Sequence, residues 1–241
     1  MFLQGDMHTH TIASTHAYST IMENCIWAAK YGLKVIAMTD HAPCMPDSPH
    51  IWHFENLRCL PRTIEGVTVL KGAEADILED GSLDLPDRTL KNLEWVVASM
   101  HGYEGCLMPS TAEKHTQLYM KIAENPYVDV IGHCTTARFP FDFEKTLKVF
   151  KEYGKLVEIN ESSIMNKKGS RENSVEVLKL CKKYEIPVVI DSDSHFCQLI
   201  GQTPIAEQMV KDLEFPQELI VNASEERIKE YLKKKRPALE I

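Results

Sequence analysis

"LKVIAMTDH", residues 33–41, decides how the chain is read. The run from Val35 to Met38 is apolar without alternation, as in a strand buried on both faces, and it stops at Thr39, Asp40 and His41. The same grammar recurs in "VTVLKGAE" (67–74), "LEWVVASM" (93–100), "VDVIGH" (128–133), "KLVEIN" (155–160) and "IPVVIDSD" (186–193). With "MFLQGDMH" (1–8) the series has seven members. Helix-like segments lie between them, at 22–32 (closed by Gly32), 110–125, 142–154 and 170–184. The tail, 222–236, reads as an amphipathic helix with Asn222 at its N-cap and Glu225 three residues on, ending in a solvated Lys-Lys-Lys-Arg run that the helix dipole favours. Alternating strands and helices imply a parallel sheet, and seven repeats favour a barrel over an open sheet. No linker or composition shift divides residues 1–241, so one domain is expected.

Bulk properties exclude several classes. Hydrophobic content of 44% and charged content of 26% are ordinary for a globular chain. A net charge of −8 argues against a broad basic surface for nucleic acid. No stretch approaches the ~20 apolar residues of a membrane span, and the first residues lack the basic and apolar regions of a signal peptide. Seven cysteines without a CxxC pair suit reduced thiols better than a disulfide framework or a thiolate zinc site. The expectation is a soluble, cytoplasmic protein.

The strand ends carry the chemistry. The first run delivers His8 and His10, the second His41, the third Glu74, the fourth His101, the fifth His133 and the seventh Asp193 and His195. "GDMHTHTIASTHAYS" (5–19) adds His16 just beyond the first strand. Barrel chemistry sits at the C-terminal ends of the strands, so these residues should share one mouth. Imidazole and carboxylate are the ligands that borderline divalent metals prefer, and positions i and i+2 of HxH point the same way from a strand. A single His after a strand is usually a hydrogen-bonded turn residue, and Glu74 alone would pass for a solvated strand end. Six of seven strands ending in a ligand type is what decides for a metal site. Nine ligands are too many for one tetrahedral ion, whereas three ions sharing a carboxylate would use them all.

"DMHTHTIASTHAYS", "AMTDHAP", "GAEADI", "SMHG", "IGH" and "DSDSH" resemble the PHP (polymerase and histidinol phosphatase) superfamily. "HIWHFENLRCLPR" (50–62), "EINESS" (158–163) and "KKGSRENS" (167–174) make the chain similar to the YcdX-type branch of bacterial PHP phosphatases. The resemblance runs from His8 to the "VNASEERIKEYL" helix. It implies a distorted seven-stranded (β/α)7 TIM-like barrel with a trinuclear metal centre, zinc first, manganese or iron as alternatives. By position, His8, His10, Glu74 and Asp193 would hold the first ion, His16, His41 and His195 the second, and Glu74, His101 and His133 the third, with Glu74 bridging. Members of that branch tend to have Pro after the fifth-strand His; here Cys134 follows His133, read as a packed thiol in preference to an extra ligand. The "TTARFPFD" loop (135–142) also departs from the family pattern, so its substrate contacts do not carry over.

A divalent cluster brings a bound water to a pKa of about 7 and stabilises an in-line displacement at phosphorus. The chain therefore reads as a metal-dependent phosphoesterase, a phosphomonoesterase in preference to a diesterase, in which metal-bound hydroxide attacks a small phosphorylated substrate. A nuclease or phosphodiesterase would share this chemistry, but the acidic chain disfavours nucleic acid. An amidohydrolase also opens with HxH but needs eight strands, usually with a lysine that "LEWVVASMH" does not offer. A non-catalytic metal-binding module would be expected to miss ligands. Substrate contacts are sought at His53, Arg62, Arg138 and Lys168, with Lys167 and Arg171 as further loop cations. "PHIWHF" (49–54), with His50 and His53 about Trp52, could form a lid, and His115 should lie on an exposed helix face. A membrane partner is not expected, and a homo-oligomer is left open.

Overall fold

The computed structural model describes residues 3–241, so the first two residues of the opening run lie outside the described part. The strands are β1 (Gly5–Thr9), β2 (Val35–Met38), β3 (Thr63–Ile64), β4 (Val67–Asp76), β5 (Trp95–Ser99), β6 (Val130–Ile131), β7 (Leu156–Asn160) and β8 (Val188–Asp191). Seven are parallel in the order β1-β2-β4-β5-β6-β7-β8, and β3 pairs antiparallel with β4. A parallel bridge between Thr9 and Ser194, with the His10 amide donating to Ser194 O at 2.9 Å, brings β1 beside the chain leaving β8 and nearly closes the barrel. Between the strands run α1 (Ile21–Lys30), α2 (Trp52–Asn56), α3 (Asp87–Leu90), α4 (Ala112–Ala123), α5 (Phe143–Glu152), α6 (Glu161–Asn166), α7 (Ser170–Tyr184) and α8 (Pro204–Asp212), and α9 (Glu225–Lys235) ends the fold. Among the described residues no helix is long and apolar enough to cross a membrane.

Local chemistry explains the main elements. Thr20 and Glu23 form a reciprocal capping box at α1. Thr111 and Asp142 cap α4 and α5 through their side chains. The strands are buried on both faces, as their unalternated runs predict. The run at 128–133 yields only Val130 and Ile131 as strand, because the chain leaves the ladder at Gly132 and His133.

The barrel interior has an apolar floor and a polar mouth. Met7, Val35, Leu70, Trp95, Val97, Val130, Leu156 and Val189 form the lower filling, and Ile228 and Leu232 of α9 pack into it from below. A bulge in β1 separates the two levels. Asp6 pairs with Ile36 and Thr9 with Met38, so Met7 and His8 together oppose one residue of β2. Met7 can thus face the floor while the next residue, His8, turns to the mouth, the re-aiming that bulges supply.

Several sequence expectations are corrected here. Ser224, not Asn222, caps α9. Asn222 is fully buried and stitches β1 to β8, bonding Gly5 O, Ile190 and Asp191. Arg236 is not solvated, since both terminal nitrogens reach the buried Asp129 carboxylate at 2.7 Å beneath the barrel. His115 is fully buried, donating to Pro140 O and accepting from the Ser110 amide.

Leu232→Ala should remove about 2–5 kcal/mol of stability, because the floor cannot collapse around the lost side chain. The urea midpoint checks this, and a loss under about 1 kcal/mol would show that α9 does not seal the floor.

Candidate metal centre

The strand ends bring all nine candidate ligands to one mouth. His10 follows β1, His41 follows β2, and Glu74 lies two residues before the end of β4. His101 and His133 each stand two residues beyond β5 and β6, Asp193 and His195 follow β8, and His16 comes from the loop before α1.

Glu74 occupies the middle. Its Oε2 lies 2.9 Å from His41 Nδ1, 3.2 Å from His8 Nε2 and 3.5 Å from His10 Nε2. Its Oε1 lies 2.9 Å from His133 Nε2 and 3.2 Å from His101 Nε2. Asp193 Oδ1 is 3.1 Å from His10 Nε2 and 3.7 Å from His8 Nε2. His16 stands at the rim, half-exposed, its ring 4.3 Å from that of His195 and 5.3 Å from that of His41.

Orphaned donor atoms test whether this set fits a metal. Buried His8 Nε2, His10 Nδ1, His41 Nδ1, Glu74 Oε2 and His195 Nε2 have no hydrogen-bond partner. Buried polar atoms normally find one. Here His8, His41 and Glu74 come within bonding distance and still miss hydrogen-bond geometry, which is how ligands sit when their lone pairs aim at a common point. The set fits divalent ions.

A ring of carboxylates and carbonyls outside the ligands orients them. His8 Nδ1 donates to Glu158 at 2.6 Å, His16 Nδ1 to Asp47 at 2.6 Å, His101 Nδ1 to Asp76 at 3.0 Å and His195 Nδ1 to the Asp193 carbonyl at 3.0 Å. Each contact fixes the tautomer and frees Nε2, the usual support of a ligating histidine. Asp40 takes the Thr11 amide and the Ser14 hydroxyl and so sets the loop between His10 and His16. Sequence reasoning missed these carboxylates. Two had a usable signal: Asp76 is two residues from Glu74 and so on its face of β4, and Glu158 is a lone acid inside an apolar strand.

Charge in the cluster is strongly coupled. Burial opposes an imidazolium at His8, but Glu158, Glu74 and Asp193 hold its pKa well above the usual value. Burial is likewise outweighed at His101, where Glu74 and Asp76 push the pKa up to about 10. At His10 burial wins, aided by His41, and the pKa falls to about 3. Burial lowers His133, with Lys167 as the next cause. Glu74 and Asp193 remain well below the carboxylate range because the surrounding imidazoles outweigh burial. The mouth is thus built around centrally placed negative charge that calls for cations.

Two candidate ligands, His133 (φ 24°) and Asp193 (φ 53°), have left-handed backbones. Non-glycine residues rarely adopt that region, and such strain gathers at functional sites.

The outlying candidates separate. Arg62 does not reach the mouth: it holds Glu94 with two hydrogen bonds of 2.7 and 2.6 Å at the start of β5, because residues 63–68 fold back as the β3–β4 hairpin. His53 Nε2 lies 3.1 Å from Asp40, beside the rim, while the neighbouring Trp52 is 72% exposed. A cavity of about 1160 Å³ runs along residues 52–60, lined by His53 but by none of the nine candidate ligands. Arg138, Lys167 and Lys168 line a second cavity together with His101. Arg171 is exposed in the first turn of α7. Cys134 is a packed thiol, its pKa raised to about 12 by burial.

A family profile, "PHP domain", matches residues 6–241. A protein from Clostridium botulinum (strain Okra / Type B1) named "Probable phosphatase" is 45% identical over 231 residues, covering 95% of this chain and 94% of that one. A probable phosphatase from Thermoanaerobacter sp. (strain X514) is 45% identical over 239 residues, 98% and 97% of the two chains. Among solved structures, a histidinol phosphate phosphatase from Lactococcus lactis subsp. lactis, complexed with zinc, L-histidinol and phosphate, superposes with a TM-score of 0.66 at 16% identity, over 90% of this chain and 95% of that one.

Glu158→Gln should weaken zinc binding by about 10–100-fold, because an amide cannot accept from both His8 Nδ1 and the His133 backbone, as Glu158 does. Chelator competition measures this, and unchanged affinity would remove Glu158 from the support of the site.

Proposed function

Because this chain belongs to the PHP domain family and is a hydrolase, we propose that it is a phosphomonoesterase whose mouth holds three divalent ions, zinc first. His8, His10, Glu74 and Asp193 would hold one ion, His16, His41 and His195 a second, and His101 and His133 a third shared with Glu74. The observation that carries this reading is the division of Glu74, whose Oε2 faces His8, His10 and His41 while Oε1 faces His101 and His133. When bound, divalent ions there supply hydroxide at neutral pH and Lewis-acid stabilisation of phosphoryl oxygens.

The chain's own residues select the substrate. Of the nine candidate ligands only Glu74 and Asp193 are carboxylates. The other acids of the mouth, Glu158, Asp76 and Asp47, stand behind ligand histidines and leave the inner face of the mouth to imidazoles, where a phosphate dianion can approach the ions. Buried Ser99 donates to Glu74 Oε1 at 2.6 Å and holds the bridging carboxylate in one rotamer. Arg138 and Lys168 bring positive charge to the cavity beside His101, and His53 is tied to Asp40. A small substrate accords with an acidic chain that has little basic surface for a polynucleotide.

Purified protein reloaded with zinc or manganese should hydrolyse small phosphomonoesters. Glu74→Gln should lower kcat/KM by on the order of 100-fold or more and reduce metal content as well, since one side chain supports two ions. Near-normal turnover with full metal content would show that Glu74 does not bridge, and the absence of phosphatase activity in the fully loaded protein would end the phosphomonoesterase reading.

A further inference from the structure

The cavity beside His101 has features that a phosphate seat alone does not require. Its volume is about 560 Å³, enough for a small organic molecule. Met100, Tyr103 and Phe139 give it an apolar wall, and Arg138, Lys167 and Lys168 give it three cations. Among the described residues none of the three is ion-paired with a carboxylate. The chain carries 35 acidic residues against 27 basic ones, so three unpaired cations around one cavity are not a sample of its surface.

The Arg138 side chain and the backbone of the lysine loop are also held in place. The Arg138 guanidinium donates to Gly102 O at 2.7 Å. It lies 2.9 Å from where a Cβ on Gly102 would stand, and Gly102 has a φ of +80°, so only glycine lets the guanidinium settle there. The Ala137 amide donates to Lys168 O at 3.3 Å, joining the two cationic loops. Gly169, with a φ of +77°, keeps those loops in contact, since its Cβ would fall 2.7 Å from Ala137 Cβ.

We propose that this cavity receives the leaving group of the substrate and recognises a second anion on it, a carboxylate or phosphate carried by an apolar or aromatic body. The proposal rests on the phosphomonoesterase reading and adds the substrate class, phosphomonoesters of acids in preference to those of neutral alcohols. The reacting phosphate is served by the ions around Glu74, whereas the three cations lie beyond His101 on one side of it. Arg138 and Lys168 are exposed and Lys167 is half-buried, so a neutral leaving group seated there would cover part of their hydration without pairing any charge, whereas a carboxylate would pair with the Arg138 fork.

The test compares phenyl phosphate with 4-carboxyphenyl phosphate in the zinc-loaded protein, with a single-stranded oligonucleotide as a third substrate. The acid-bearing ester should be favoured in kcat/KM by about tenfold or more, the worth of one charge-assisted hydrogen bond. Arg138→Met and Lys168→Met should each raise KM for that ester and move the ratio toward one, and Arg138→Lys should restore part of it. Elemental analysis of each variant confirms that the ions are retained. Equal kcat/KM for the two esters, or a ratio unmoved in metal-replete variants, would overturn this substrate class and leave the phosphatase reading standing. Failure to hydrolyse either ester would count against both, and faster turnover of the oligonucleotide would assign the cations to a nucleic-acid backbone.

Discussion

Everything at the mouth depends on one buried carboxylate. Glu74 is 1% exposed and has imidazole nitrogens of five histidines within 3.5 Å, drawn from four βα loops or strand ends. A carboxylate removed from water must be matched by positive charge or hydrogen bonds. Ser99 supplies one hydrogen bond, and the rest of the demand shapes the barrel top. The bulge in β1 turns His8 toward it, and the left-handed backbone of His133 sets another ring against it. The same carboxylate charge, with Glu158 and Asp76 behind it, holds the His8 and His101 imidazoles basic despite burial.

The floor makes such a mouth tolerable. Strain and buried polar groups at the C-terminal ends of the strands cost stability, as functional sites generally do. The lower half is apolar, sealed by α9 and pinned by Arg236 on Asp129. Chemistry and packing are therefore assigned to opposite ends of the same strands, with the β1 bulge at their boundary.

Much of this was legible because two patterns are local. Unalternated apolar runs mark strands buried on both faces, and a ligand type at the end of six of the seven runs marks the barrel mouth. The same locality explains what was hidden. Glu158 sits inside "KLVEIN", the one run without a ligand at its end, yet its side chain orients His8 and accepts from the His133 backbone. Those partners are 150 and 25 residues away, beyond any local pattern. Arg62 looked like a loop cation because β3 is only two residues long, too short to announce the hairpin that carries it to Glu94. His115 and Asn222 look like surface residues in their own segments, and only contacts with Pro140 and with β1 and β8 bury them.

Whether Glu74 joins separate cation sites decides the reading of the mouth. Anomalous diffraction from crystals of the zinc-loaded protein, with data on both sides of the zinc edge, measures this directly. The predicted map has three peaks at the barrel mouth, with Glu74 Oε1 and Oε2 coordinating different ions and His16 on the outermost. A single peak, or peaks that Glu74 does not bridge, would contradict it.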